Sequence, residues 1–252
     1  MNINGRRQEI INILQKRNYA TVDEFSKTLG VSAVTIRTDL AALESDGFLI
    51  RTHGGAMKNE KKGEIRLISK TMSEYESEKK AIAKRASSLL SNGSTIILDS
   101  GSTVIHLLDY IVDKDITVVT NNVLAIERLK NEESVRLVTL GGDLRRASMG
   151  TVGPIACNSI KSINVDVYFM GAAAYTKDII SSSDMLEADL KKNMQRSADK
   201  IVFLADSSKF GKKALSTICS WNSIDTFVTD TIDAGFRREL EEMGVEVLSA
   251  DD

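Results

Sequence analysis

The stretch from Leu29 to Ala56, LGVSAVTIRTDLAALESDGFLIRTHGGA, leaves this chain few ways to fold. Gly30 can end one helix and Ser32 can cap the next, so two helices must meet at a tight turn. Val31 and Ile36 stand at the spacing of a hydrophobic staple across that cap. Ile36, Leu40 and Leu43 fall on one helical face, while Thr35, Arg37, Thr38 and Ala41 lie on its flank and opposite side. Gly47 stops the second helix, and FLIRTHGGAM reads as two short strands about a His53-Gly54-Gly55 turn. A helix with a small, polar, singly basic outer face suits the major groove of DNA.

The residues before this stretch complete a small module. Asn4 to Arg17 carries Ile10, Ile11 and Leu14 at helical spacing, with Arg6, Arg7, Lys16 and Arg17 expected outside. Tyr19-Ala20 is short and extended. Thr21-x-x-Glu24 is a capping box that opens a helix through Leu29, with Val22, Phe25 and Leu29 inward. Helix, short strand, helix, turn, helix, wing is the winged-helix order. Residues 1–62 hold ten Lys+Arg against seven Asp+Glu, a net of +3 in a chain whose total is −2. That excess is small, but its sign attracts phosphate.

The module resembles the DNA-binding half of the DeoR family of bacterial repressors. Arg6, Ile10, Leu14, Ser32, Thr35, Ile36, Arg37, Asp39 and Leu40 match that family's spacing, and Gly47, Arg51 and His53-Gly54-Gly55-Ala56 are similar to its wing. Thr38 departs from the charged or amide residue more usual there, which bears on operator sequence and not on fold. The expected DNA-binding residues are Ser32, Thr35, Arg37 and Thr38 on the recognition helix, with Arg6, Arg51 and His53 holding the DNA backbone. Arg37 can read guanine bidentately or grip a phosphate. Asp39 can pair with Arg37 or with another basic residue of the module.

Lys58 to Lys70 is charged, contains Gly63 and reads as a linker. Ser73-x-x-Glu76 is expected to cap a long helix through Leu90, joining linker to the rest and carrying any relative motion. Beyond it, apolar strands alternate with helices. Strands are expected at Thr95–Leu98, Ile116–Thr120, Val135–Leu140, Val165–Met170, Ile201–Ala205, Phe227-Val228 and Val245–Leu248. Helices are expected at Thr103–Val112, Val123–Lys130, Ile155–Ile160, Leu186–Ser197 and Ala234–Met243. This is the pattern of an α/β domain with a mostly parallel sheet covered on both faces. The domain expectation is therefore 1–57 DNA-binding, 58–72 linker and 73–252 effector sensing and oligomerisation. The second half also resembles the DeoR C-terminal domain, through IILDSGST, VVTNN, LVTLGGDLR, VYFMGAAA, Glu187 with Lys191 and Met194, and VFLADSSKFGK. That resemblance implies a fold related to ribose-phosphate isomerases and CoA transferases.

Asp99-Ser100-Gly101-Ser102-Thr103 ends a strand and begins a helix. Backbone N–H groups and three hydroxyls at such a turn attract an anion, although a plain capped turn has the same residues. No Lys follows the Gly, so this is not an ATP-hydrolysing P-loop. Asn121 and Gly141-Gly142 follow two further strand ends, where open parallel sheets bind ligands. Asn121 can bond a sugar hydroxyl, and the glycines can bring backbone donors near. Glu187 and Lys191 are four apart on a helix, so they form either a solvated salt bridge or part of a ligand site. Lys209 is a second phosphate anchor or a surface lysine. Tyr175 to Asp184, YTKDIISSSD, lacks the family's usual Gly and reads as a lid-like loop of altered shape.

Two histidines, His53 and His106, and two cysteines, Cys157 and Cys219, give no metal cluster and no disulfide framework. Trp221 reads as a packing residue. No metal or cofactor is expected. No apolar run is long enough for a membrane span and no signal-peptide core is seen, so the expectation is a cytoplasmic protein. The resemblance implies a homo-oligomeric repressor of carbohydrate metabolism that binds double-stranded operator DNA and responds to a phosphorylated sugar. The alternative is an isomerase-like enzyme fused to a DNA-binding module, with Asp99, Glu187 and Lys191 as its acid–base residues. An adaptor whose winged helix binds protein is a third possibility.

Overall fold

A computed structural model describes residues 3–45, 48–58, 68–112 and 114–250. The chain divides into two compact units, Met1–Ile65 with Ser183–Leu186, and Arg66–Ser182 with Glu187–Asp252. Gly47 and residues 59–67 of the expected linker lie outside the described residues.

The first unit has helices α1 (Ile3–Arg17), α2 (Val22–Leu29) and α3 (Ala33–Ser45), and strands β1 (Tyr19–Thr21), β2 (Leu49–Thr52) and β3 (Gly55–Lys58). Thr21 and Glu24 form the expected capping box, and Gly30 closes α2 in the left-handed conformation. The strands order as β1-β3-β2, all antiparallel, so the wing hairpin is anchored through β1. Ile10, Leu14, Phe25, Ile36, Leu40, Leu43 and Leu49 are buried and supply the core. Each sits at the helical or strand period that turns it inward.

The second unit opens with α4 (Ile68–Ser73) and α5 (Glu76–Ala86). The single long helix expected from Ser73 to Leu90 is broken at both ends. Ser73 terminates α4, its hydroxyl donating to the Lys70 carbonyl, and Tyr75 turns the chain with a left-handed φ of 52°. At the far end the hydroxyls of Ser87 and Ser88 donate back to Lys84 and Arg85, and a 3-10 turn, Ser87–Leu89, follows.

The strands of this unit are β4 (Thr95–Leu98), β5 (Ile116–Thr120), β6 (Val135–Thr139), β7 (Asp143–Arg145), β8 (Gly150–Val152), β9 (Val165–Gly171), β10 (Ala174–Tyr175), β11 (Ile179–Ser182), β12 (Ala198–Leu204), β13 (Ser216–Ser220), β14 (Thr226–Thr229) and β15 (Glu246–Ser249). Its helices continue with α6 (Val123–Leu129), α7 (Pro154–Ile160), α8 (Met185–Arg196) and α9 (Ala234–Glu242). The main sheet is seven-stranded and parallel, in the order β15-β14-β12-β9-β4-β5-β6. Ile96, Leu98, Val118, Phe169, Val202, Leu204 and Val228 bury one face of it beneath Ile82, Ala83 and Ala86 of α5. Continuous apolar strands of this kind need cover on both sides.

Three stretches differ from the sequence reading. Val104–Tyr110 is a 3-10 helix and not an α-helix. The polar loop after β6 contains the β7–β8 hairpin. The expected lid-like loop at 175–184 carries strand at Tyr175 and at Ile179–Ser182, and β10-β11-β13 form a second antiparallel sheet. Buried side chains there supply the reason. Tyr175 and Ile180 are buried, with Tyr175 packed among Phe203, Trp221 and Phe227. Trp221 is wholly buried and its indole N–H donates to the Thr176 carbonyl.

Candidate functional site

In the sheet order, β4 runs on through β5 and β6 to one side, while β9, β12, β14 and β15 lie on the other. The chain therefore reverses its direction of progress between β4 and β9. Ligands of open parallel sheets bind at the carboxyl ends of the strands at such a switch point. The loop leaving β4 is Asp99 to Thr103, and β9 ends at Gly171 beside it.

Asp99 organises this edge. One carboxylate oxygen accepts from the Ser100 N–H at 2.7 Å, and the other accepts from the Gly171 N–H at 2.9 Å and from the Lys191 ammonium. Asp99 is 1% exposed and Lys191 is 5% exposed. Removing either partner of a buried pair such as this strands the other. Tyr168 lies wholly buried beneath it. Burial, and then the charge of Asp99, push its hydroxyl well above the ordinary tyrosine value, so it remains a neutral phenol.

The close approach of the β4 loop to β9 depends on two glycines. A Cβ on Gly101 would stand 3.2 Å from the Gly171 Cα, and one on Gly171 equally near the Gly101 Cα. Packing between strands therefore requires Gly101 whether or not a ligand is present. Gly142 has a similar explanation, with φ of +137° and a Cβ position 2.5 Å from the Val152 carbonyl oxygen. Gly141 has only Ile155 near its open side.

Lys209, from the 3-10 turn Ser207–Lys209 after β12, donates to the Thr103 hydroxyl at 3.3 Å and lies 3.5 Å from Asp206. Burial lowers its ammonium below the usual lysine value, Asp206 opposes that, and the charges of Lys79 and Lys191 add to it. Asn121 donates to the Thr151 carbonyl at 2.9 Å and reaches Ser100 Oγ at 3.5 Å. Its Oδ1 is buried with no partner among the described residues. Ser102 is buried in the same loop.

Glu187 and Lys191 share a face of α8 but turn to different partners. Glu187 accepts from the Ser182 hydroxyl at 3.1 Å and lies 3.4 Å from Arg145, while Lys191 goes to Asp99. Both are buried, so the solvated-bridge reading does not hold. Asp99, Ser100, Asn121 and Lys191 are thus linked by hydrogen bonds, and Thr103 and Lys209 form a second bonded pair at the end of the same loop, with Glu187 one helical turn from Lys191. Sequence reasoning did not single out Arg145, Tyr168, Gly150 or Gly171, and it named Asn122 only within the strand-end run Thr120-Asn121-Asn122. Arg145 lies inside the quoted GGDLR stretch, and Asn122, which donates to the Asp99 carbonyl at 3.4 Å, adjoins Asn121. Gly150 carries no sequence signal, and its place against Ser100 follows from tertiary packing.

The first unit presents a separate surface. Ser32 caps α3, accepting from the Thr35 N–H at 3.2 Å, and the two hydroxyls lie 2.9 Å apart. Arg37 and Thr38 are exposed, with the Thr38 hydroxyl bonded to the Val34 carbonyl. Arg51 and His53 are exposed on the wing, where Arg51 is 3.7 Å from Glu44. Arg6 is engaged within the module. It was expected to hold DNA, but its Nε donates to Asp39 at 2.5 Å while that of Arg7 donates to the other oxygen at 3.0 Å. Asp39 is 1% exposed, so the two arginines tie α1 to α3 inside the module. Neither stands outside as helical periodicity suggested.

A winged helix-turn-helix carried in one chain with an α/β sensor unit defines a transcriptional regulator. The DeoR-like helix-turn-helix domain profile matches residues 6–62 and the DeoR C terminal sensor domain profile matches residues 74–231. The putative aga operon transcriptional repressor of Escherichia coli O157:H7 is 33% identical over 253 residues, covering 96% of this chain and 92% of that one. The HTH-type transcriptional regulator GlpR of Haloferax volcanii is 35% identical over 248 residues, 96% of each chain. The chain belongs to the DeoR family of transcriptional regulators. Among solved structures, ribose 5-phosphate isomerase A of Methanocaldococcus jannaschii matches at 21% identity and a TM-score of 0.40, over 54% of each chain. Among the described residues no helix is long and apolar enough to cross a membrane.

Proposed function

We propose that this regulator is a repressor of a carbohydrate operon whose grip on operator DNA changes when a phosphorylated sugar binds at the Asp99–Thr103 edge. The observation that carries this reading is the 3.3 Å contact between Lys209 and Thr103, which brings a cation to the β4 loop. Backbone N–H groups of the loop, the hydroxyls of Ser100, Ser102 and Thr103, and Lys209 are donors of the kind a phosphate recruits. Asn121, with its unfilled buried acceptor, Glu187 and Gly141-Gly142 are left for the sugar.

The site reads its ligand and does not transform it. Asp99 is engaged as a structural acceptor, its oxygens taking the N–H groups of Ser100 and Gly171 and the Lys191 ammonium, and the similar chains GlpR and the aga operon repressor are named as transcriptional regulators. Glu187 is engaged as well, one oxygen accepting from Ser182 and the carboxylate lying 3.4 Å from Arg145.

In the first unit, Ser32, Thr35, Arg37 and Thr38 would meet bases or phosphates, and Arg51 and His53 would hold the backbone. Residues 1–57 form the DNA-binding domain in this reading, 58–72 the connection and 73–252 the sensing and oligomerisation domain. The two profile matches support that division. Winged-helix regulators bind paired half-sites, which favours a homo-oligomer. The cytoplasm, where the operator lies, suits the free thiols of Cys157 and Cys219.

Thermal-shift screening of sugar phosphates tests the reading, because a ligand of the folded state raises apparent stability. A phosphorylated sugar is expected to stabilise the wild type but not Lys209→Met. Conversion of that sugar to an isomer, lost in Glu187→Gln, would favour the enzyme instead.

A further inference from the structure

We propose that the β7–β8 hairpin relays occupancy of the Asp99 site to α4, the helix through which the chain enters the sensor unit after the DNA-binding module. This inference rests on the sugar-phosphate reading and adds the route by which binding is felt.

Three parts of the hairpin make the relay. Arg145, at the end of β7, lies 3.4 Å from Glu187, so a ligand that engages Glu187 disturbs this pair. β8 lies on the β4 loop. A Cβ on Gly150 would stand 2.7 Å from the Ser100 Cβ, and Asn121 and Thr151 exchange hydrogen bonds of 2.9 and 2.8 Å. Between the strands, the turn carries Met149 with a left-handed φ of 52° and presents the Ala147 carbonyl. That carbonyl accepts from the Ile68 N–H at 2.6 Å, and Ile68 is the first residue of α4.

The other end of α4 is also fastened to the site. The buried Lys79 ammonium donates to the carbonyls of Thr71 and Glu74. Lys79 belongs to α5, which packs through Ile82, Ala83 and Ala86 in one core with Val104, Leu107 and Leu108 of the 3-10 helix after Thr103. The hairpin therefore sets one end of α4, and the helix lying on the ligand loop sets the other. A ligand that shifts Ser100 or Arg145 shifts the Ala147 carbonyl and with it the start of α4. Such a change reaches DNA only through a difference in ligand affinity between two arrangements of these contacts.

The test is hydrogen exchange on the full chain, with and without saturating glucose 6-phosphate or inorganic phosphate. In the wild type, peptides covering 143–152 and 68–79 are both expected to change their exchange on ligand addition. Ile68→Pro removes the N–H at a first helical position, where proline is tolerated. Ile68→Ala removes the side chain and keeps the N–H. The proline variant is expected to retain the response of 143–152 and lose that of 68–79, while the alanine variant retains both. An undiminished 68–79 response in Ile68→Pro overturns the relay. Arg145→Ala, which leaves α4 intact, is expected to blunt the 68–79 response while 99–104 still responds; a full 68–79 response there also overturns it. If neither peptide of the wild type responds to either ligand, the sugar-phosphate reading itself fails, and the relay with it.

Discussion

Each unit of this protein is built around a buried aspartate, and the two differ in what surrounds them. Asp39 in α3 meets two arginines from consecutive positions of α1, one on each oxygen. Its capacity is taken up by side chains whose task is to fix one helix on another. Asp99 sits at a strand end, at the topological switch point, and two of its donors are backbone N–H groups of adjoining loops. Around it lie hydroxyls, two lysines and the amide oxygen of Asn121, which has no partner among the described residues. Burial of a charge is therefore no mark of function by itself. The position of the charge in the topology, and the unfilled groups beside it, distinguish a clamp from a binding site.

The comparison breaks most sharply at Asp39. Asp39→Ala leaves Arg6 and Arg7, at 12% and 21% side-chain exposure, without their counter-charge. Removing one partner of a buried pair costs about 3–5 kcal/mol, and the partial wetting of these arginines places this case near about 3. A small three-helix module has little reserve to offset that. Urea denaturation followed by circular dichroism is expected to show an early transition and loss of DNA binding, with ligand stabilisation of the sensor unit intact. A single unchanged transition would argue against the clamp.

At Asp99 the expected cost is somewhat smaller, because backbone donors remain. Asp99→Asn should destabilise the sensor unit by about 2–3 kcal/mol. The double variant Asp99→Asn with Lys191→Met should recover part of that, since no charge is then stranded, yet it should not recover ligand binding. Recovery of both would make Asp99 merely structural.

Arg37 and Arg6 sharpen the contrast within the first unit. Arg37→Ala should leave the urea midpoint unchanged, weaken operator binding and reduce the salt slope by about one. Arg6→Ala should act mainly on the midpoint. Equal effects of the two on stability would erase the distinction between surface and clamp.

The smallest effect is expected at His106. Burial holds its imidazole below the ordinary value of 6.5, with Lys80 adding to the shift and Glu76 and Asp109 opposing it. The unfolded chain then binds a proton that the folded one resists. Stability is full above the unfolded value and falls as pH drops through it toward the folded value. Denaturation midpoints between about pH 7 and about pH 5 should slope less in His106→Gln than in the wild type.

Much of this was legible in the chain. Thr21 and Glu24, Gly30, and the 3.6-residue run of Ile36, Leu40 and Leu43 are local signals, and each sits where those signals demand. The seven parallel strands were readable as short apolar runs. What escaped depends on contacts distant in sequence. Helical periodicity puts Arg6 and Arg7 outside because it cannot see Asp39 more than thirty residues away. Glu187 and Lys191 look like a pair by spacing, but their partners Arg145 and Asp99 lie on other elements. The strands of the β7–β8 and β10–β11 hairpins, two to four residues each, are too short for an alternating pattern to stand out.

The central claim is that a ligand at the Asp99 edge governs the hold on DNA. Operator DNA enriched from a random pool by the wild-type protein can be titrated by fluorescence anisotropy, with and without the phosphorylated sugar giving the largest thermal shift. The wild type should change its DNA affinity roughly fivefold or more on addition of the sugar. Lys209→Met should bind the DNA as the wild type does without sugar and show no change with it. An equal sugar effect in Lys209→Met would contradict the account, placing the effector elsewhere.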